Sequence, residues 1–169
     1  LFATSPGFTV FGSMRSAALL PRLPDAVRSQ VITGVDVENA DSLMRLFATV
    51  RPQVVVNCVG LVKQLAEADD PLLALPINAM LPHRLARLCE VAGARLVHVS
   101  TDCVFSGARG GYVEGDAPDA QDLYGRSKLL GEVVGPENVL DFEPTMGSED
   151  FSYFLQAKPG CYYLIGNGD

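Results

Sequence analysis

Short apolar runs rich in β-branched residues alternate along this chain with segments of helical spacing, and that alternation restricts the fold more than any other feature. Four runs read as buried parallel strands: Phe8–Phe11, Val31–Val35, Val54–Val59 and Leu96–Val99. Between them, Asp41 to Val50 places Leu43, Leu46 and Phe47 on one helical face, with Pro52 as a stop. Asn78 to Ala92 does the same for Leu81, Leu85, Leu88, Cys89 and Ala92, with Gly93 as the C-cap. Strand, helix, strand, helix, strand is the grammar of a doubly wound α/β fold, a parallel sheet flanked by helices.

The 169 residues suffice for one domain of ordinary size. With 13 basic against 20 acidic residues the net charge is −7, which excludes nucleic acid as a partner and disfavours anionic membrane surfaces. A nucleotide ligand stays compatible, because backbone amides at a helix start bind phosphate whatever the net charge. Cys58, Cys89, Cys103 and Cys161 show no CxxC spacing, so a zinc site is not expected, and reduced thiols in a cytoplasmic protein are the simplest reading. No apolar run approaches the roughly 18 residues of a membrane span, and no signal peptide is evident.

The chemistry is concentrated between Val97 and Glu132. Ser100-Thr101-Asp102 closes a strand, and Tyr124-Gly125-Arg126-Ser127-Lys128 follows a loop. Tyr124 and Lys128, four apart, share one face of a helix. An ammonium beside a phenol favours the phenolate and is expected to lower the Tyr124 pKa, making it a proton donor or acceptor suited to carbonyl reduction. Thr101 offers a hydroxyl to the substrate oxygen. Other residues have plainer readings: Asp36 as a turn cap, His83 and His98 as structural histidines, Lys63 and Glu67 as a solvated pair four residues apart.

The run Ser100-Thr101-Asp102-Cys103-Val104-Phe105-Ser106-Gly107 and the run Tyr124-Gly125-Arg126-Ser127-Lys128-Leu129-Leu130-Gly131-Glu132 resemble the extended short-chain dehydrogenases/reductases, in the dTDP-4-dehydrorhamnose reductase branch. The resemblance implies a Rossmann-like fold over residues 1 to 133 and a catalytic trio of Thr101, Tyr124 and Lys128. It also implies that Lys128 and Ser100 lie against the cofactor, that Asn57-Cys58-Val59-Gly60 forms the strand end beside it, and that Asp36-Val37 contacts adenine. Arg15-Ser16 would read the 2′-phosphate, so NADP(H) is expected, with NAD(H) also admissible, because that choice rests on Arg15 alone. Val104 and Phe105 fall where the substrate pocket begins, and the implied substrate is a nucleotide-activated sugar bearing a keto group.

Two features depart from that pattern. The family opens with a strand and a G-x-x-G-x-x-G turn that brings a helix start to the pyrophosphate. This sequence contains no such turn, so the first strand and glycine loop are expected to be missing, leaving sheet edges open to self-association. After Glu132 the chain, from Phe142 to Phe151 and at Pro159-Gly160-Cys161, resembles the C-terminal part of hippurate-hydrolase-like amidohydrolases. Residues 134–169 are therefore expected to be an unrelated segment joined near Gly131–Gly135, and impaired turnover is expected because the glycine loop and the substrate-binding lobe are absent. Metal-dependent amide hydrolysis and a non-catalytic nucleotide-binding or interaction module stay open as alternatives. Two histidines 15 residues apart, without a His–carboxylate cluster, weigh against the first, and no metal is expected.

Overall fold

A computed structural model describes residues 7–63, 65–113 and 115–132. They form two compact units that divide after Pro52. Residues 133–169, which include the amidohydrolase-like run from Phe142 to Phe151, lie outside the described residues.

The first unit pairs β1 (Gly12–Met14) with β2 (Val31–Thr33) in parallel. Between them run a 3-10 segment, Ala17–Arg22, and a single helical turn, α1 (Asp25–Arg28). The first strand starts later than the expected Phe8–Phe11. The ladder opens where Gly12 N–H donates to Gln30 O at 3.0 Å, while Phe8 and Phe11 remain exposed. Their apolar character marked the approach to the strand and not the paired residues. After β2, α2 (Ala40–Val50) is capped by Asn39, whose side chain accepts from Ser42 N–H, and it ends at Arg51 in the left-handed region with φ 49°. Its apolar stripe buries Leu43.

The second unit pairs β3 (Val54–Asn57) with β4 (Arg95–His98), again in parallel, from Val54 opposite Arg95 to Asn57 opposite His98. The connection passes through a loop and a 3-10 turn at Ala66–Asp69 into one long helical run. It begins with α3 (Pro71–Ala74), capped by Asp70, widens into a π segment at Leu75–Met80, and continues as α4 (Leu81–Ala92). Gly93, with φ 66°, closes it in the left-handed conformation the sequence called for. Leu81, Leu85 and Cys89 are buried along one face of α4. A 3-10 turn at Asp102–Val104 and a last helix, α5 (Leu123–Leu130), complete the unit.

Parallel pairing by way of helices is the α/β grammar expected from the sequence. Burial of the strands is only partial, which corrects that part of the expectation. Val54 and Val56, on one face of β3, are about half exposed. The described residues form two separate two-stranded ladders, so no interior strand is covered on both faces.

The buried stripe of α4 provides a direct test. Leu81 is 1% exposed and Val91, on the same helix, is 89% exposed. Leu81→Ala is expected to cost about 2–5 kcal/mol, and Val91→Ala no more than about 0.5 kcal/mol, as read from denaturant midpoints. Equal costs would contradict the assigned helix face.

Candidate active site

In each unit the residues singled out by sequence sit beyond the C-terminal ends of the parallel strands, where α/β folds bind ligands. In the first unit Arg15 and Ser16 follow β1, and Asp36 and Val37 follow β2. Arg15 is exposed. Ser16 caps the 3-10 segment by accepting from Ala18 N–H at 3.2 Å. Asp36 Oδ1 accepts from Glu38 N–H at 3.0 Å, the turn-capping role of the plainer reading.

In the second unit Asn57 to Gly60 leave β3, and Ser100 and Thr101 leave β4. Asn57 is buried and cross-links the strand ends. Its Nδ2 donates to His98 Nδ1 at 3.1 Å and its Oδ1 accepts from Val59 N–H. Cys58 and Val59 are exposed beside it, and Gly60 is half-buried. A Cβ on Gly60 would stand 3.3 Å from Asn78 Oδ1 and 3.7 Å from Lys128 Nζ, so glycine lets this segment lie against the lysine. Because His98 Nδ1 accepts, its proton sits on Nε2, which is buried without a hydrogen-bond partner.

α5 carries the remaining site groups and is fixed at both ends. Eight residues make a marginal helix alone, so its geometry depends on what grips it. Asp122 caps its start, Oδ1 accepting from Gly125 N–H at 2.7 Å. His83 Nε2–H donates to Leu130 O at 2.7 Å at the other end. A Cβ on Gly125 would collide with Cys103 O and approach Ala120 Cβ to 2.6 Å. A Cβ on Gly131 would collide with Asn78 O and come within 3.1 Å of Pro82 Cγ. Asn78, 1% exposed in the π segment, holds the β3 loop through Leu61 N–H (2.8 Å) and Leu61 O (3.1 Å). It also donates to Ser127 Oγ at 3.1 Å, and that hydroxyl donates to Tyr124 O at 2.8 Å.

Lys128 is buried, and its ammonium donates to Val99 O at 2.9 Å. Burial lowers its pKa, with Glu132 and Cys58 opposing. Ser100 Oγ donates to Glu132 at 3.0 Å. Thr101 caps the 3-10 turn, accepting from Cys103 N–H at 3.2 Å. Tyr124 is half-buried, and burial pushes its phenol above the ordinary value. A hydrogen bond with Thr101 opposes that rise, and Cys103, Asp102 and Asp122 add to it. The expectation that Lys128 lowers Tyr124 is corrected here: the lysine head group serves Val99 O, and burial dominates the phenol. Val104 is a core residue, 3% exposed, and Phe105 stacks on Tyr112 with centroids 4.7 Å apart.

The structure thus brings Thr101 and Tyr124 into hydrogen-bonding reach and sets Lys128 beside the β3 and β4 strand ends. Sequence reasoning missed Asn78, Ser127, Lys63 and Asp122. Asp122 carried a readable signal, an aspartate three residues before Gly125 at a helix start. Asn78 was the polar interruption at the start of an apolar stripe. Among the described residues no three His, Cys, Asp or Glu side chains cluster in a way that would hold a metal ion, and no helix is long and apolar enough to cross a membrane.

Two substitutions test this geometry. Gly125→Ala is expected to cost about 1–3 kcal/mol by overpacking, and a neutral result by thermal or chemical denaturation would contradict the close approach. His98 has its pKa lowered to about 4, first by burial and then by Lys128. The folded state resists a proton that the unfolded chain accepts below about 6.5. Stability is therefore lost as pH falls from 6.5 toward 4, by at most about 1.4 kcal/mol per unit. His98→Gln should flatten that dependence, and an unchanged slope would contradict it.

Comparison with known proteins bears on the family and the fold. The sequence matches the family described as RmlD substrate binding domain over residues 18–141. It is 43% identical over 84 residues, 47% of this chain and 28% of the relative, to dTDP-4-dehydrorhamnose reductase of Mycobacterium tuberculosis. A hypothetical dTDP-4-dehydrorhamnose reductase from Sulfolobus tokodaii superposes with TM-score 0.55 at 32% identity, covering 66% of this chain and 45% of that one. The dTDP-4-dehydrorhamnose reductase of Bacillus anthracis, solved with NADP, superposes with TM-score 0.54 at 28% identity, covering 66% and 42%. The chain spans less than half the length of each of these relatives.

Proposed function

From the premise that the chain belongs to the RmlD substrate-binding domain family, whose solved relatives share its Rossmann-like α/β fold, we propose that it is the nucleotide-binding part of an NADP(H)-dependent reductase acting on the keto group of a nucleotide-activated sugar. The observation that carries this reading is the Thr101–Tyr124–Lys128 arrangement, with Thr101 and Tyr124 in hydrogen-bonding reach and Lys128 buried beside the strand ends. Bound NADPH supplies the hydride. Tyr124, held protonated by burial, gives the proton to the carbonyl oxygen, and Thr101 orients that oxygen.

The residues present fit such a cofactor. Lys128 spends one of its three N–H bonds on Val99 O and has donors for ribose hydroxyls. Glycine at 60 keeps the space over the lysine clear of a side chain. Arg15, exposed just after β1, suits a 2′-phosphate, and Val37, half-buried after β2, suits an adenine face. Phe105 would contribute to the sugar pocket through its ring, while Val104, buried and with its carbonyl accepting from Asp119 and Ala120 N–H, would support the pocket from beneath. A cytoplasmic setting accords with that cofactor.

The 169 residues hold no G-x-x-G-x-x-G turn, so a polypeptide of these residues alone is expected to bind NADPH weakly and turn over slowly. Exposed Val54 and Val56 favour its self-association. The family match runs from residue 18 to residue 141, past the join expected near Gly131–Gly135, so a separate tail from residue 134 rests on the sequence resemblance alone. Its likeness to amidohydrolases stays a proposal about residues outside those described.

Calorimetric titration with NADPH tests the cofactor reading. Saturable binding weakened by Arg15→Ala and by Lys128→Met is expected, and a folded chain that binds no NADPH would overturn it. In a reductase assay Tyr124→Phe should lower kcat by about 10²–10⁴-fold while leaving NADPH affinity unchanged. Equal loss of affinity would remove Tyr124 from the proton-transfer role.

A further inference from the structure

Lys63 was expected to pair with Glu67 along a solvated helix. It instead reaches across 59 positions and donates to Asp122 Oδ2 at 2.5 Å. The same carboxylate caps α5 through its other oxygen, two residues before Tyr124. One ion pair therefore ties the loop after β3, which Asn78 holds at Leu61, to the start of the helix that presents the phenol.

We propose that Lys63 is a positioning residue of this site, its ammonium paired with the helix-capping carboxylate of Asp122 so that a fixed cation stands on the Tyr124 and Cys103 side of the reaction centre. The proposal rests on the reductase reading for its purpose but not for its test. An exposed ion pair contributes little to stability, commonly about 0–1 kcal/mol, so a purely structural role has little to offer. A charge beside a proton donor acts differently, because it biases ionisation without having to hold the fold.

The surroundings support this assignment. Lys63 is held above its usual pKa, first by the Asp122 hydrogen bond, with burial opposing and with Asp122, Cys103 and Tyr124 in electrostatic reach. Asp122 is held low, first by Gly125 N–H and then by Lys63, with Arg126 adding to the effect. Among the described residues, the charged or titratable groups acting on or with the phenol are thus Asp102 and Cys103 from the 3-10 turn, Asp122 from the cap and Lys63 from the β3 loop. Lys63 is the one cation among them. Lys128, on the same helix, is occupied with Val99 O.

The test is tyrosinate difference absorbance of the 169-residue chain against its Tyr124→Phe variant, which isolates one phenol among five tyrosines. Lys63→Met should shift the Tyr124 transition upward, since it removes the cation and leaves Asp122 uncompensated. Asp122→Asn keeps a capping side chain and should shift it downward. The double variant should fall between the two, Lys63→Arg should stay near the parent, and added salt should shrink the Lys63→Met shift. Circular dichroism would confirm that each variant is folded. A Tyr124 transition in folded Lys63→Met that superimposes on the parent's would overturn the proposal. Absence of NADPH binding alongside the expected shifts would overturn the reductase reading and leave the role of Lys63 standing.

Discussion

The second unit depends on two places where backbone touches backbone without a side chain between. Gly125 lies on Cys103 O, and Gly131 lies on Asn78 O beside Pro82. These contacts set the height and direction of α5 on the 3-10 turn and on the π segment. With the helix there, Tyr124 meets Thr101 and Lys128 reaches Val99 O. A methyl group at either position would lift the helix, and neither side chain could compensate from its own end.

Around those contacts the polar groups fit together. Asn78 sits where the helix widens to π geometry, a local irregularity often found at functional positions. Proline at 82 cannot donate to the carbonyl of Asn78, and Gly131 occupies that side. The Asn78 amide then joins Leu61 to Ser127, so the β3 loop and α5 are bound through one buried side chain. Asp122 with Lys63 fixes the start of α5, and His83 fixes its end. A helix too short to persist alone is thereby made rigid by tertiary contacts.

How much of this was legible follows from the range of each interaction. Parallel strands at β3 and β4, the α4 stripe and the Gly93 cap are local patterns, and they were readable. The position of β1 was not, because Phe8 and Phe11 carry the apolar signal while Gly12 starts the pairing. Tyr124 and Lys128 were readable from their spacing, but their electrostatics were not. Burial of the phenol and the Lys128 bond to Val99 O depend on residues far apart in sequence. Lys63 was assigned a neighbour four residues away because sequence shows only near neighbours, whereas its partner lies 59 positions on. The shared signal of Ser100 to Gly107 and Tyr124 to Glu132 conveyed the family, and the fold explains why those runs occur together, since Gly125 must fit Cys103.

The central proposal is that these residues form part of the cofactor side of a reductase site. Mapping backbone amide shifts by NMR while NADPH is added tests it most directly, because it reports where the cofactor lies as well as whether it binds. The account requires perturbations concentrated at Asn57 to Gly60, Val99 to Thr101 and Tyr124 to Lys128. Perturbations confined to other segments, or none in a folded chain at saturating NADPH, would contradict it.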